Sequence, residues 1–218
     1  MTGVKILKFE VDEAYARKHN EMIRDTRRVR AGGIGLGVVV ALAGIATYVW
    51  FTDRAPWALW VMVAGVGMGV VFVATGIAVA RKFSSVQELY DRYPLVPAVV
   101  AEVNPRDCVL MALVNTNVDP ELPPRWGLAL RTISHLPGIK EPKLGMQVPC
   151  AAVLGRRTTR DADHWQEISP MPIAWATPDR DVIAAAKSGI SRQRWVQLDK
   201  LRSRLDEVKA TPMNLLVL

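Results

Sequence analysis

The sequence predicts an α+β membrane protein: a two-helix transmembrane hairpin, then a small antiparallel β-barrel or sandwich with C-terminal helices. Three observations predict it. Two long runs carry no charge, Gly32 to Phe51 and Ala55 to Ala80. Short apolar stretches separated by Pro- and Gly-containing turns follow between residues 95 and 176. Near the C-terminus, Trp195, Leu198, Leu201, Leu205 and Val208 form an apolar stripe at helical spacing. The overall balance agrees. Half of the 218 residues are apolar, yet the net charge is +7, and the mean hydropathy is +0.13. A disordered or nucleic-acid-binding basic chain would be far more polar, so both excesses must be concentrated somewhere.

The apolar excess lies in the two runs. About twenty residues cross a hydrocarbon core of about 30 Å, and the runs hold twenty and twenty-six. A core helix of that length would keep a polar face, and neither run has one. About thirty residues precede the first run, too many for the n-region of a signal peptide. The linker Thr52-Asp53-Arg54 is too short to hold a domain, so the runs form a tight hairpin with both termini on one side. Arg17, Lys18, Arg24, Arg27, Arg28 and Arg30 precede the hairpin, and Arg81, Lys82 and Arg92 follow it. The positive-inside rule then places both termini in the cytoplasm and the loop 52–54 outside, in the inner (plasma) membrane. Tyr48, Trp50, Trp57 and Trp60 surround the loop as an interfacial aromatic belt would.

Each span carries a small-residue motif, Gly33-x-x-x-Gly37 and Gly65-x-x-x-Gly69, which lets helices approach closely in lipid. Packing within the hairpin is the simpler use of these glycines, and contact with a second membrane protein or a second copy is the sharper one. No ionisable residue lies inside either span, so an ion pathway has no residue to run through. The hairpin reads as an anchor.

The charge excess also has a location. Residues 1–31 carry +3, residues 32–83 carry +2, and residues 84–218 balance seventeen basic against fifteen acidic residues. A basic nucleic-acid face on the large C-terminal part is therefore poorly supported. Arg27, Arg28, Arg30, Arg81 and Lys82 serve topology or anionic lipid headgroups.

Element by element, residues 1–31 form a cytoplasmic strand and helix. Val4 to Val11 partly alternates, and Asp12 is an N-cap for a helix running toward Arg30, with Gly32-Gly33 as a kink. The hairpin occupies residues 32–80. The β-rich domain occupies residues 84–218. Ser85-x-x-Glu88 opens a short helix ending near Tyr93-Pro94. Strands are expected over Leu95 to Val103, Cys108 to Asn115, Trp126 to Leu136 and Met146 to Leu154, with one or two more from His164–Ile168 and Pro172–Ala176. Thr177-Pro178 signals helix starts, giving helices over 178–189 and 191–210. Met213 to Leu218 is an apolar tail expected to pair with the sheet.

Chemistry is sparse. Cys108 and Cys150 fall in core strands and should be buried, reduced thiols. Two Cys and three His, widely spaced, give no metal-ligand pattern, and no phosphate-binding Gly-rich loop or catalytic signature occurs. No cofactor and no catalytic residue is expected. Arg156, Arg157 and Arg160 are the best candidate for anion contact, though Asp161 and Asp163 offset them.

The strings KFEVDEAYARKHNE, PAVVAEVNPRD, LVNTNVDPELPPRWGLALRT, VPCAAVLG and PMPIAWATPD, with the hairpin, resemble an uncharacterised family of corynebacteria and related actinobacteria. The resemblance covers nearly the whole chain. It implies a host with a mycolic-acid envelope and assigns no activity. The expected function is a non-enzymatic inner-membrane adaptor or accessory subunit. Its cytoplasmic domain would bind a partner protein, in an envelope-assembly setting, and homo-oligomers remain open. The alternatives are a small-molecule or lipid-ligand-binding membrane protein, and a membrane-tethered nucleic-acid-binding barrel.

Overall fold

A computed structural model describes residues 7–51, 55–81, 85–119, 121–157 and 163–218. It divides into two compact units, residues 21–85 and a globular unit of residues 1–20 with 86–218.

The first unit is the helical hairpin. Helix α2 (Glu21–Phe51) and helix α3 (Ala58–Arg81) lie side by side. Only 11% of the most apolar window of each is buried, so neither behaves as the core helix of a soluble domain. The faces turned outward are apolar, with Val49 70% and Val39 62% exposed. The hydroxyls of Thr47 and Thr75 donate to the carbonyls of Ala43 and Val71, so these groups are satisfied within their own helices.

Glycine sets the approach of the two helices. A Cβ added at Gly37 would lie 2.6 Å from the Gly69 carbonyl oxygen, and one at Gly69 would lie 2.5 Å from the Gly37 oxygen. Gly33 meets Gly76, and Gly44 meets Gly65. Of the motif glycines read from the sequence, Gly33, Gly37, Gly65 and Gly69 all lie on this seam. Gly32, Gly35 and Gly67 face open space.

The expected continuous N-terminal helix with a kink at Gly32-Gly33 is corrected in two ways. The chain breaks earlier, at Asn20, between α1 (Glu13–His19) and α2. Asn20 is fully buried in extended geometry, and its amide donates to the Tyr90 hydroxyl at 3.2 Å. A tertiary hydrogen bond fixes the break, which local periodicity does not encode. Gly32 and Gly33 lie inside an unbroken α2. The expected strand over Val4 to Val11 falls partly outside the described residues, and residues 7–11 carry no ladder. They are held instead by Gln87, which accepts from Val11 N–H and donates to the Phe9 carbonyl, both at 2.8 Å.

The globular unit is a six-stranded antiparallel sheet: β1 (Leu95–Val103), β2 (Cys108–Asn115), β3 (Trp126–Ile133), β4 (Gln147–Leu154), β5 (Ile168–Pro172) and β6 (Leu215–Val217). The strand order is β5-β4-β1-β2-β3-β6. A register shift between Val100 and Glu102 interrupts β1, and such bulges bend and twist a strand. The sheet curls into a half-barrel, so that Arg131 on β3 reaches Ser169 on β5, which is four strands away in hydrogen-bonding order. The C-terminal tail pairs with β3 as β6, which covers part of that strand's edge.

β1 and β2 are buried on both faces over most of their length. Inside the curl lie Tyr90 from helix α4 (Val86–Arg92) and Trp175, both fully buried. Helices α5 (Arg180–Gly189) and α6 (Arg192–Lys200) pack against β1, with α5 also on β4 and α6 on β2.

Several element boundaries differ from expectation: β3 ends at Ile133 rather than Leu136, and α5 opens at Arg180 behind the N-cap Asp179 rather than at Pro178. His164 makes a single bridge to Asn117 rather than starting a strand. Pro172 to Ala176 is no strand: β5 ends at Pro172 and a 3-10 turn (Ile173–Trp175) swings Trp175 inward. The expected helix over 191–210 breaks after Lys200 into a 3-10 turn (Arg202–Arg204) and helix α7 (Leu205–Lys209). The apolar stripe survives the break. Trp195 and Leu198 serve α6, whereas Val208 on α7 turns to the β3–β6 edge, because the helices must follow the curl of the sheet.

Candidate functional site

Among the described residues of the globular unit, two concavities and one interior cluster stand out as candidates. The interior cluster is built on Arg131. Its guanidinium donates to Ser169 Oγ at 2.7 Å and sits 5.2 Å from the centre of the Trp175 ring. Trp175 Nε1 donates to the His135 carbonyl at 3.2 Å. Tyr90 donates its hydroxyl proton to the Pro172 carbonyl at 3.0 Å. Burial pushes the Tyr90 phenol well above its usual range, and burial likewise raises the Cys150 thiol. Cys108 and Cys150 are buried free thiols. This cluster closes the half-barrel, although Arg131 Nε is buried without a hydrogen-bond acceptor among the described residues.

The first concavity is an open groove of about 1000 Å³ along α5 and α6. Asp179 and Ser191 cap the two helices, accepting from Asp181 N–H and Arg194 N–H. Trp195 Nε1 donates to the Lys187 carbonyl at 3.4 Å and ties α6 to the end of α5. Lys187, Arg192 and Lys200 line the groove, and Val196, 47% exposed, adds an apolar contact. Asp199 also lines it, but its carboxylate is paired with Arg202 at 3.0 Å. Arg202 packs on Gly145, where a φ of +78° favours glycine. Among the described residues the three other cations have no ion pair. The groove therefore carries an unneutralised positive face.

The second concavity is a narrower cleft of about 340 Å³. Leu136, Ile139, Val148, Pro149 and Ile183 give it apolar walls, and Tyr15, Gln147, Thr177 and Arg180 supply its polar groups. Tyr15 is positioned by α1, whose N-cap Asp12 accepts from Tyr15 N–H at 2.9 Å and donates its own N–H to the Ala176 carbonyl. Burial, then the Asp12 charge, raises the Tyr15 phenol. Gln147 lines both the cleft and the groove.

Arg156 and Arg157, singled out in the sequence, line neither concavity. Arg157 stacks over Trp165 at 5.7 Å, and Arg156 N–H donates to the Glu167 carboxylate at 3.2 Å. Arg160 lies outside the described residues, as do Asp161 and Lys82. Arg27, Arg28 and Arg30 are exposed on α2, with Arg28 3.7 Å from Asp25. Arg81 ends α3. Among the described residues, no group of three His, Cys, Asp or Glu side chains could hold a metal ion. Sequence reasoning missed the α5–α6 groove and the cleft. The bases at 187, 192 and 200 look like ordinary solvated charges until the turn between α5 and α6 sets them around one groove.

Comparison with known proteins decides the family. Residues 81–206, more than half of the chain, match the family described as "Protein of unknown function (DUF3239)". The chain belongs to this family. It is also similar to a solved structure described as "Crystal structure of a putative membrane protein from Corynebacterium diphtheriae". The two are 56% identical, with 57% of this chain and 99% of that one covered and a TM-score of 0.55. No curated protein matches. The likeness fits the corynebacterial family that the sequence resembles, and with two apolar helices long enough to span a bilayer it supports a membrane location.

Proposed function

We propose that this member of the family is a non-enzymatic accessory protein of the inner membrane. Its glycine-packed hairpin holds the globular unit at the cytoplasmic face, where the α5–α6 groove docks an acidic segment of a partner protein. The observation that carries the reading is the groove: Lys187, Arg192 and Lys200 stand without ion pairs among the described residues, beside the exposed Val196. Complementary charge speeds encounter and selects the partner. The basic residues on the N-terminal side of the hairpin favour cytoplasmic termini. Envelope assembly is the setting proposed for such an accessory protein, in keeping with the corynebacterial family that the sequence resembles.

The test is mild crosslinking in native membranes followed by affinity purification. It compares the full chain with a Lys187→Glu, Arg192→Glu, Lys200→Glu variant. The expected result is a protein recovered with the parent and lost with the charge-reversed variant. Recovery of the same proteins by both, or of none above background, refutes groove docking. A second reading, a ligand-binding membrane protein, is favoured by one observation, the apolar cleft beside the groove.

A further inference from the structure

The cleft is assembled from four separate stretches of the chain. Tyr15 comes from α1, Leu136 to Ile139 from the turn after β3, Gln147 to Pro149 from β4, and Thr177 to Ile183 from the entry to α5. Its volume, about 340 Å³, falls at the small end of the range for small-molecule sites, about 300–1000 Å³. Its chemistry is one-sided. The walls are aliphatic, the polar groups are a phenol, an amide, a hydroxyl and a guanidinium, and no carboxylate lines it. Asp179 and Asp181 flank Arg180 in sequence but do not line the cleft, and Asp179 accepts from Asp181 N–H as the cap of α5. Arg180 has no ion pair among the described residues. It opens α5, so the positive end of the helix adds to its potential.

We propose that the cleft binds a small anionic amphiphile, a carboxylic acid with an apolar body. The body packs on Leu136, Ile139, Val148 and Ile183, and the acid group meets Arg180 at the mouth. A guanidinium pairs with a carboxylate through a bidentate, charge-assisted hydrogen bond. Gln147 and Tyr15 offer further donors. The proposal rests on the ligand-binding reading and not on partner docking, since Lys187, Arg192 and Lys200 line the groove and not the cleft.

The test uses the full chain in neutral detergent micelles and a decanoate carrying a diazirine on its chain. Light-dependent adducts are expected on two tryptic peptides, residues 132–140 and 181–187, which carry Leu136, Ile139 and Ile183. Excess decanoate should displace the probe, and decanol should do so about tenfold less well. Dihexanoyl phosphatidic acid, added as a competitor, separates the sources. Weaker displacement than by decanoate supports a carboxylic acid, and displacement matching decanoate overturns that choice in favour of a phosphate headgroup. Arg180→Ala, an exposed position, should bring decanoate to the level of decanol, and Ile183→Trp should fill the cleft and abolish the adducts. Adducts confined to α2 and α3, or decanol competing as well as decanoate, overturn the proposal. So does undiminished labelling of Ile183→Trp with an unchanged circular dichroism spectrum.

Discussion

Replacing Gly37 by alanine tests the hairpin seam most sharply. The new methyl would stand 2.6 Å from the Gly69 oxygen and 2.8 Å from Val73 Cγ2, where ordinary contact begins at 3.4 Å. The shortfall of about 0.8 Å falls on backbone, which cannot rotate away, so α2 and α3 must part by a comparable distance. A gap of 0.5–1 Å forfeits roughly a quarter to a half of each dispersion contact it opens, and Gly33–Gly76 and Gly44–Gly65 share the same seam. Overpacking of this kind costs about 1–3 kcal/mol, or roughly 5- to 150-fold in the paired-to-separated equilibrium. Gly35 is the internal control, because nothing lies within 4 Å of its added Cβ. Gly69→Ala should match Gly37→Ala, and the double variant should cost less than the sum, since helices already parted admit the second methyl. The assay is energy transfer between dyes on Asp25→Cys and Ser85→Cys of the full chain, attached under native conditions, during titration from mild detergent into SDS. Equal shifts for Gly35→Ala and Gly37→Ala, or no shift for Gly37→Ala, would refute the reasoning.

Two further predictions concern the globular unit. Tyr90→Phe removes the hydroxyl that donates to the Pro172 carbonyl and accepts from the Asn20 amide, which keeps Met171 Sδ at 3.3 Å; losing a buried hydrogen bond costs about 1 kcal/mol, and thermal unfolding should fall by a few degrees. Stability should also decline in alkali. Burial raises the folded pKa of Cys150 and Tyr90, so the unfolded chain loses protons first as the pH passes about 8.5 and then about 10. Their contribution is present in full below those values and is lost as the pH rises toward the folded ones. Denaturant midpoints measured between pH 7 and 10.5 check this, with Cys150→Ala flattening the first part of the fall.

The hairpin was legible because a bilayer demands so much of a sequence: uncharged runs of the right length, basic flanks and small residues at a four-residue spacing. Strands β1, β2 and β4 were nearly as clear, bounded by Pro94, by Asn104 to Asp107 and by Gly155. What stayed hidden depends on contacts between distant residues. Asn20 ends α1 because Tyr90 awaits it, and Trp175 leaves the strand path because the sheet has curled to receive it beside Arg131. The cleft unites residue 15 with residues 136–149 and 174–183, a convergence that no local pattern carries. Arg156 and Arg157 stand out for their density in sequence, whereas Lys187, Arg192 and Lys200 are spread over fourteen positions and line one groove only across the turn between α5 and α6.

The central claim, an anchor that holds the globular unit on the cytoplasmic side, is tested most directly by cysteine accessibility in intact cells. Cys108 and Cys150 are buried and should stay silent toward a membrane-impermeant maleimide, so single added cysteines report cleanly. Asp53→Cys, in the short linker between the spans, should be labelled in intact cells, and Ser203→Cys only after permeabilisation. Labelling of Ser203→Cys from outside, or recovery of the full chain in the soluble fraction after carbonate extraction, would contradict the account.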